Sequence, residues 1–298
     1  METCIFTMEI TSGSVRAAFV SPDRQISDLT VLNLDNFSGD PSEQPEKLLA
    51  LLTAKARTAP ARLTSAILLM GCDIDRRGTR VTNHPTAEWL IDFPLAKSLS
   101  DALGVPVAMQ RRSLAFLSLD MEMLDLPRDC LAIGCYVGTH IENAVWYRGG
   151  PIAGRNGTAG NIAHLAVHGR EDACFCGKNG CVDIYGAGLR LRQIHTMIFP
   201  DTELEEIFLR LGDHPILRDY LSMMAYPIAM ETNLLDPDFI IIGGWIPAMP
   251  GFPFKQLEEE IARFCYLPGD GAGPIILPSA VEPAKALAWI GRSAFAPA

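Results

Sequence analysis

The chain has 298 residues, 48% hydrophobic and 20% charged, which is ample apolar material for one large or two medium cores and excludes a disordered chain. A formal net charge of −10 argues against direct nucleic-acid binding and suits a protein that handles small molecules. The longest apolar stretch, 239–254, is too short and too broken by Gly243, Gly244, Pro247, Pro250 and Gly251 to span a bilayer, so no membrane partner is expected.

In chain order, CIFTMEI, TSGS and VRAAFV read as a strand, a small-residue turn and a second strand, a hairpin over 5–21. Over 43–57, Leu48, Leu49, Leu51 and Leu52 form a helical stripe; AILLM at 66–70 is a short buried strand. Leu95, Leu99 and Leu103 recur every fourth residue before Gly104, which predicts an amphipathic helix over 94–103. VPVAM at 105–109 is the next strand, and the pattern turns helical from Ser113. A second hairpin, near 131–147, looks like a counterpart of the first. Thr202 and Glu205 have capping-box spacing, a long helix bent at Pro227 ends near Leu235, and DPDFIIIGG is a turn, a buried strand and a glycine pair. The last predicted element is a helix over 281–296. Alternation of strands and helices predicts an α/β protein with packed domains and a hinge near 113–125.

The opening METCIFTMEI carries an early acid and no basic run, so it does not read as a secretory leader, and a cytoplasmic location is expected. Five of the eight cysteines lie singly among apolar neighbours, as reduced buried thiols do. The other three cluster in HLAVHGREDACFCGKNGC, which places His164 ten residues before Cys174, with Cys176 and Cys181 following. Four such ligands suit tetrahedral zinc and leave no position for a catalytic water, so a structural zinc site is expected at His164, Cys174, Cys176 and Cys181. His168 is a rival ligand by spacing. Gly177 and Gly180 let the chain turn back between ligands.

These segments resemble the ROK family, named for its repressors, open reading frames and kinases. GVPVAMQRRSLAF resembles the family's P-V-x-V-E-N-D-A-N, GTAGNIAH its G-x-x-G-E-I-G-H, CFCGKNGCVDIYGAG its C-x-C-G-x-x-G-C-x-E, and NLLDPDFIIIGG its N-L-x-D-P-x-x-I-V-I-G-G. The resemblance implies an actin-like or hexokinase-like (ribonuclease H-like) fold of two α/β domains around a cleft. The expected boundaries are 1–113 and 114–280, with a final helix, 281–298, packing back on the first domain. Dimers or tetramers are also implied.

Departures from the family pattern bear on function. The aspartate that would serve a family kinase as general base falls at Arg112, and the asparagine before it at Arg111; a guanidinium accepts no proton at physiological pH. The first phosphate turn should read D-I-G-G-T-K but here contains Glu9, Thr11, Ser12 and Gly13. The second should read G-T-G-I-G-G-G but here runs Gly138, Thr139, His140, Ile141, Glu142, Asn143, with a carboxylate where phosphates would sit. Use of ATP–Mg is therefore not expected. Family glutamates of the sugar site fall at Asn161 and Asp183, and His164 is implied to lie beside the sugar as well as to bind zinc.

Arg111 and Arg112 suit an anionic ligand through their planar forks, or alternatively turn outward or pair with a carboxylate such as Asp120. Trp245 either fills part of the nucleotide region or packs in a core. The expectation is a non-catalytic module binding a sugar, sugar phosphate or sugar acid through Arg111, Arg112, Asn161, His164 and Asp183, like the effector part of a ROK regulator. The alternative is an ATP-dependent hexose or N-acetylhexosamine kinase with a displaced base, Asp120 or Glu122. No helix-turn-helix is read ahead of the first strand, so no direct DNA contact is expected.

Overall fold

Two five-stranded sheets with the same wiring organise the protein. The computed structural model describes residues 2–34, 37, 39–266, 273–282 and 286–287. In the first sheet β1 (Thr3–Ile10), β2 (Ser14–Val20) and β3 (Ile26–Asn33) form an antiparallel meander, and β4 (Arg62–Met70) and β7 (Val107–Arg111) add in parallel beyond β1, in the order β3-β2-β1-β4-β7. A small two-stranded ribbon, β5 (Asp73–Ile74) with β6 (Val81–Asn83), lies between β4 and β7 in sequence. The second sheet repeats the scheme with β8 (Leu131–Val137), β9 (Ile141–Tyr147), β10 (Gly150–Pro151), β11 (Phe239–Gly243) and β12 (Ile275–Pro278), in the order β10-β9-β8-β11-β12.

The chain divides into two compact units. The first comprises the described residues of Met1–Leu119, Ala153–Ala159 and Glu282–Ala298, the second those of Asp120–Ile152 and Gly160–Val281. The division falls after Leu119 rather than at 113/114, and the first unit takes in a short segment assigned to the second domain on sequence. The reason is local: Arg111 Nη1 donates to the carbonyls of Gly157 and Ala159 at 3.0 and 3.2 Å, tying that segment to the end of β7.

In the first unit, α1 (Gln44–Ala56) and α2 (Leu95–Leu103) cover the sheet. Leu48 and Leu52 are buried one turn apart on α1 and half-buried Leu49 packs against the same core, while Leu51 is exposed, so three of the four expected leucines face the core. On α2 Leu95 and Leu99 are buried, and Gly104 closes the helix at φ +68, donating to Ser100 O as a C-terminal glycine does. The helix α3 (Arg112–Met123) follows β7 without an intervening loop.

In the second unit a core of Ile133, Val137, Ile240 and Ile242 from the sheet packs with Met224, Ile228 and Tyr220 of α7 (Pro215–Leu235). That helix continues through Pro227. Short helices α4 (Asp183–Gly186), α5 (Gly188–Ile198), α6 (Ile207–Leu211) and α8 (Phe254–Phe264) complete the unit. The capping box expected at Thr202 and Glu205 does not form: a 3-10 turn begins at Leu204, and the carbonyl of Thr202 instead meets His195 Nε2. Of the predicted C-terminal helix over 281–296, Val281 and Glu282 are described and are not helical, Ala286 and Leu287 are helical, and the rest lies outside the described residues. Among the described residues no helix is long and apolar enough to cross a membrane.

After β11 the chain turns at Gly244, with φ +103 and a Cβ position only 2.3 Å from Val137 O. Any side chain there must displace the end of β8. Gly244→Ala is expected to cost about 2 kcal/mol in urea unfolding, without loss of secondary structure by circular dichroism.

Candidate functional site

The site residues predicted from sequence fall in both units. In the first, Glu9 sits near the end of β1, directly across from Arg16 on β2. Its carboxylate is 2% exposed and meets two guanidinium groups, Arg16 at 3.2 Å through Oε2 and Arg112 at 3.1 Å through Oε1. The strand-to-helix junction separates the two neighbouring arginines. Arg111, the last residue of β7, is buried on the carbonyls of Gly157 and Ala159, whereas Arg112, the first residue of α3, turns to Glu9 and lies over the Phe116 ring.

Three amides of the β1–β2 turn, those of Thr11, Gly13 and Ser14, are used within the turn. Thr11 Oγ1 accepts from the amides of Ser14 and Gly13 at 3.2 and 3.4 Å, and the Thr11 amide donates to Ser14 O at 2.9 Å. The amides of a phosphate-binding turn must point at the anion. Here Gly13 and Ser14 point at a hydroxyl of their own loop. Ser12 is held through its carbonyl, which accepts from Thr86 Oγ1.

In the second unit the β8–β9 turn carries Gly138, Thr139 and His140. Gly138 N donates to His140 O at 3.0 Å, and the carbonyls of Gly138 and Thr139 accept from Gly188 and Leu189 at the start of α5. Trp245 packs on this turn: a Cβ on Gly138 would lie 3.4 Å from its ring, and one on Gly188 only 2.7 Å. Arg192 covers the indole, with its guanidinium 5.3 Å from the ring centroid. The half-buried Trp245 therefore packs against the turn and the core beneath it.

Asp183 starts α4 and is 2% exposed. One oxygen lies 2.6 Å from His140 Nδ1 and the other accepts from Ile141 N at 2.7 Å. The His140 ring meets Phe175 edge-on at 5.1 Å, and Phe175 meets His164 at 5.2 Å. Asn161 precedes the 3-10 turn Ile162–His164. His140, Phe175, His164 and Asp183 thus form one neighbourhood, with Asn161 at the head of the turn that carries His164. Asp183, Asn161 and His164 are among the ligand-contacting residues expected from the sequence, which gives His140 no role beyond a lost glycine.

Glu142, also on β9, is half-buried, and next to it Asn143 is buried and donates through Nδ2 to Glu231 of α7 at 2.8 Å. Burial pushes the Glu231 carboxyl up to about 8 against the lowering effect of that hydrogen bond. Asp120 is fully buried and accepts from Tyr136 Oη, Ser279 Oγ and Ala280 N at 2.8, 2.8 and 2.7 Å. Desolvation raises its pKa despite these donors. It is spent on the frame of its own unit. Glu122 is exposed on α3.

The loop after His164 brings four potential metal ligands together. Cys174, Cys176, Cys181 and His164 each offer a ligand atom, and these atoms all lie within 4.8 Å of one another. Cys174 Sγ is 3.6 Å from His164 Nδ1, and Cys176 Sγ is 3.6 Å from Cys181 Sγ. The loop is a hairpin-like knuckle in which Gly177 N donates to Cys174 O and Cys174 N to Lys178 O. Gly180 needs its positive φ of +72, since a Cβ there would lie 2.2 Å from Arg170 O. Lys178 Nζ donates to the carbonyl of His164 and ties the distant ligand to the knuckle. Burial pushes the Cys181 thiol up to about 12 and raises Cys174 as well. Such thiols stay protonated unless a cation replaces the proton. His168 is exposed and outside the cluster.

Comparison with known proteins agrees with these motifs. The chain is 26% identical over 186 residues to the N-acetyl-D-glucosamine kinase of Escherichia coli O127:H6, a match covering 57% of this chain and 61% of that protein. With the N-acetylmannosamine kinase of Escherichia coli O157:H7 it is 23% identical, covering 86% of this chain and 87% of that protein. The crystal structure of a ROK family transcriptional regulator, a homologue of the E. coli MLC protein, superposes with a TM-score of 0.79 at 18% identity, covering 98% of this chain and 78% of the regulator. The α/β fold is thus the one shared by ROK regulators and sugar kinases. A ROK family model matches residues 25–287, most of the chain, and the protein belongs to the ROK family.

Proposed function

We propose that this protein binds a sugar or sugar derivative without phosphorylating it, as the effector part of a ROK regulator does. The observation that carries this reading is the Arg112–Glu9 ion pair at 3.1 Å. Arg112 stands where the family resemblance puts the general base, and a guanidinium takes no proton from a sugar hydroxyl. The inward-turned Thr11 loop supports the same conclusion, because its amides serve the loop and not a phosphate. ATP–Mg is therefore outside the proposed ligand set. With Arg111 and Arg112 given to carbonyls and to Glu9, we favour an uncharged sugar over a sugar phosphate or sugar acid. The names of the curated relatives point to N-acetylhexosamines as the first class to try.

The metal in this reading is zinc. From the usual bond lengths, tetrahedral zinc separates two thiolate sulfurs by about 3.8 Å and a sulfur from an imidazole nitrogen by about 3.6 Å. The 3.6 Å separations at Cys176–Cys181 and His164–Cys174 fit those edges. His164, Cys174, Cys176 and Cys181 would fill the coordination shell, leaving the ion to hold the loop and not to activate water. A homo-oligomeric state and a cytoplasmic location belong to the same proposal.

A specific rival is an ATP-dependent kinase with a displaced base, favoured by the kinase names among the relatives. Asp120 is occupied by Tyr136, Ser279 and Ala280, which counts against it in that role. Transfer of labelled phosphate from ATP to N-acetylmannosamine, N-acetylglucosamine and glucose separates the readings. We expect none, together with a raised melting temperature for a sugar and no change with ATP–Mg. Turnover of about 1 per second or faster, the ordinary range for kinases, would sink the proposal.

A further inference from the structure

In the second unit one imidazole has its orientation set while its outer nitrogen stays uncommitted. Asp183 Oδ2 lies 2.6 Å from His140 Nδ1, and a buried carboxylate there selects the tautomer that carries its proton on Nδ1. The remaining contact recorded for the His140 side chain is the edge of Phe175, and Nε2 has no partner among the described residues. The side chain keeps 13% of its surface exposed, against 1% for Asp183. Securing the turn does not require this arrangement, since Asp183 Oδ1 already holds the Ile141 amide at 2.7 Å. An imidazole that is oriented, partly exposed and left with an acceptor lone pair is suited to receive a hydroxyl proton. Beside it, Phe175 is 39% exposed and touches His164, so a ring hydroxyl bonded at Nε2 would have an apolar neighbour for its carbon skeleton.

We propose that His140, positioned by Asp183, is a ligand-contacting residue that accepts a hydrogen bond from a sugar hydroxyl at Nε2. Asp183 then acts through His140, because both of its oxygens are engaged inside the protein. The inference rests on the sugar-binding reading and adds a residue that the family pattern, with glycine at this place, does not supply.

The experiment is calorimetric titration of N-acetyl-D-mannosamine and N-acetyl-D-glucosamine into the metal-loaded full chain and two variants. His140→Asn keeps a side-chain partner for Asp183 and lacks the outer nitrogen; His140→Gln carries an amide out to that position. For whichever sugar the parent binds, His140→Asn is expected to weaken affinity roughly tenfold, the loss typical of one hydrogen bond to a ligand, with His140→Gln recovering part of it. Metal content and melting temperature should match the parent. Equal affinity in the parent and His140→Asn would overturn the role of His140 while leaving sugar binding intact; no binding of either sugar by the parent would overturn both. The nitrogen resonances of His140 in the unmutated protein give a second readout that does not depend on a variant folding. Saturation with the bound sugar should shift Nε2 and leave Nδ1 protonated, and an unmoved Nε2 resonance would also refute the proposal.

Discussion

Cys181→Ser is expected to abolish stoichiometric zinc and to lower the melting temperature by about 10 °C. Cys181 is the most deeply buried of the four ligands, with no exposed surface, and its sulfur lies 3.6 Å from that of Cys176. A metal that binds only the folded chain, present a thousandfold above its dissociation constant, stabilises by about 4 kcal/mol. At roughly 2–4 °C per kcal/mol for a chain of this size class, that corresponds to a shift on the order of 10 °C. The decisive comparison is between the variant and a chelator. Stripping metal from the parent should reproduce the melting point of the variant, and the same chelator should leave the variant unchanged. If chelation lowers the variant by a further similar amount, the stabilising ion sits elsewhere.

The second large effect concerns Glu231. Its carboxyl stands at about 8 in the folded protein against an ordinary value of 4.5, because burial disfavours the charge more than Asn143 relieves it. Folding therefore favours the protonated form. The associated stability is complete below pH 4.5 and is lost progressively as pH rises towards 8, in total on the order of 5 kcal/mol. Glu231→Gln keeps the shape and an acceptor for Asn143 Nδ2 but has no proton to lose. The variant and the parent should melt together at pH 4.5, and the variant should melt well above the parent at pH 8.5. A stability difference that does not change across that range would show that Glu231 carries no such shift.

The Cys/His cluster was the most readable part of the site. Three of its residues lie within eight positions and the fourth ten residues upstream, so local chain geometry, with Gly177 and Gly180 at positive φ, nearly defines the cluster before any tertiary contact forms. The hairpin, parallel-strand and glycine-pair signals were legible for a similar reason: each depends on short-range alternation and turn chemistry. The strands β3 and β12 were missed. In ISDLTVLN apolar residues fall on both faces of an edge strand, Leu29 and Val31 exposed and Ile26 and Leu32 half-buried, so no clean alternation marks it, and GPIILP is too short to announce a strand without its partner β11. The false capping box at Thr202 shows the converse, a correct local spacing overruled when His195 took the Thr202 carbonyl.

The amino-acid sequence by itself determined the α/β class, the family, the four Cys and His residues that cluster in the fold, and an arginine at position 112, where the resemblance expects the family's base. All of these are properties of residue type or of neighbours along the chain. What Arg112 does instead was decided only by the tertiary structure, since its partner Glu9 is 103 residues away. The same holds for the split between Arg111 and Arg112, for the occupation of Asp120, and for the pairing of His140 with Asp183 across 43 residues. A charged or polar side chain must be satisfied wherever it is buried, and which group satisfies it depends on which strands and helices the packed core brings alongside.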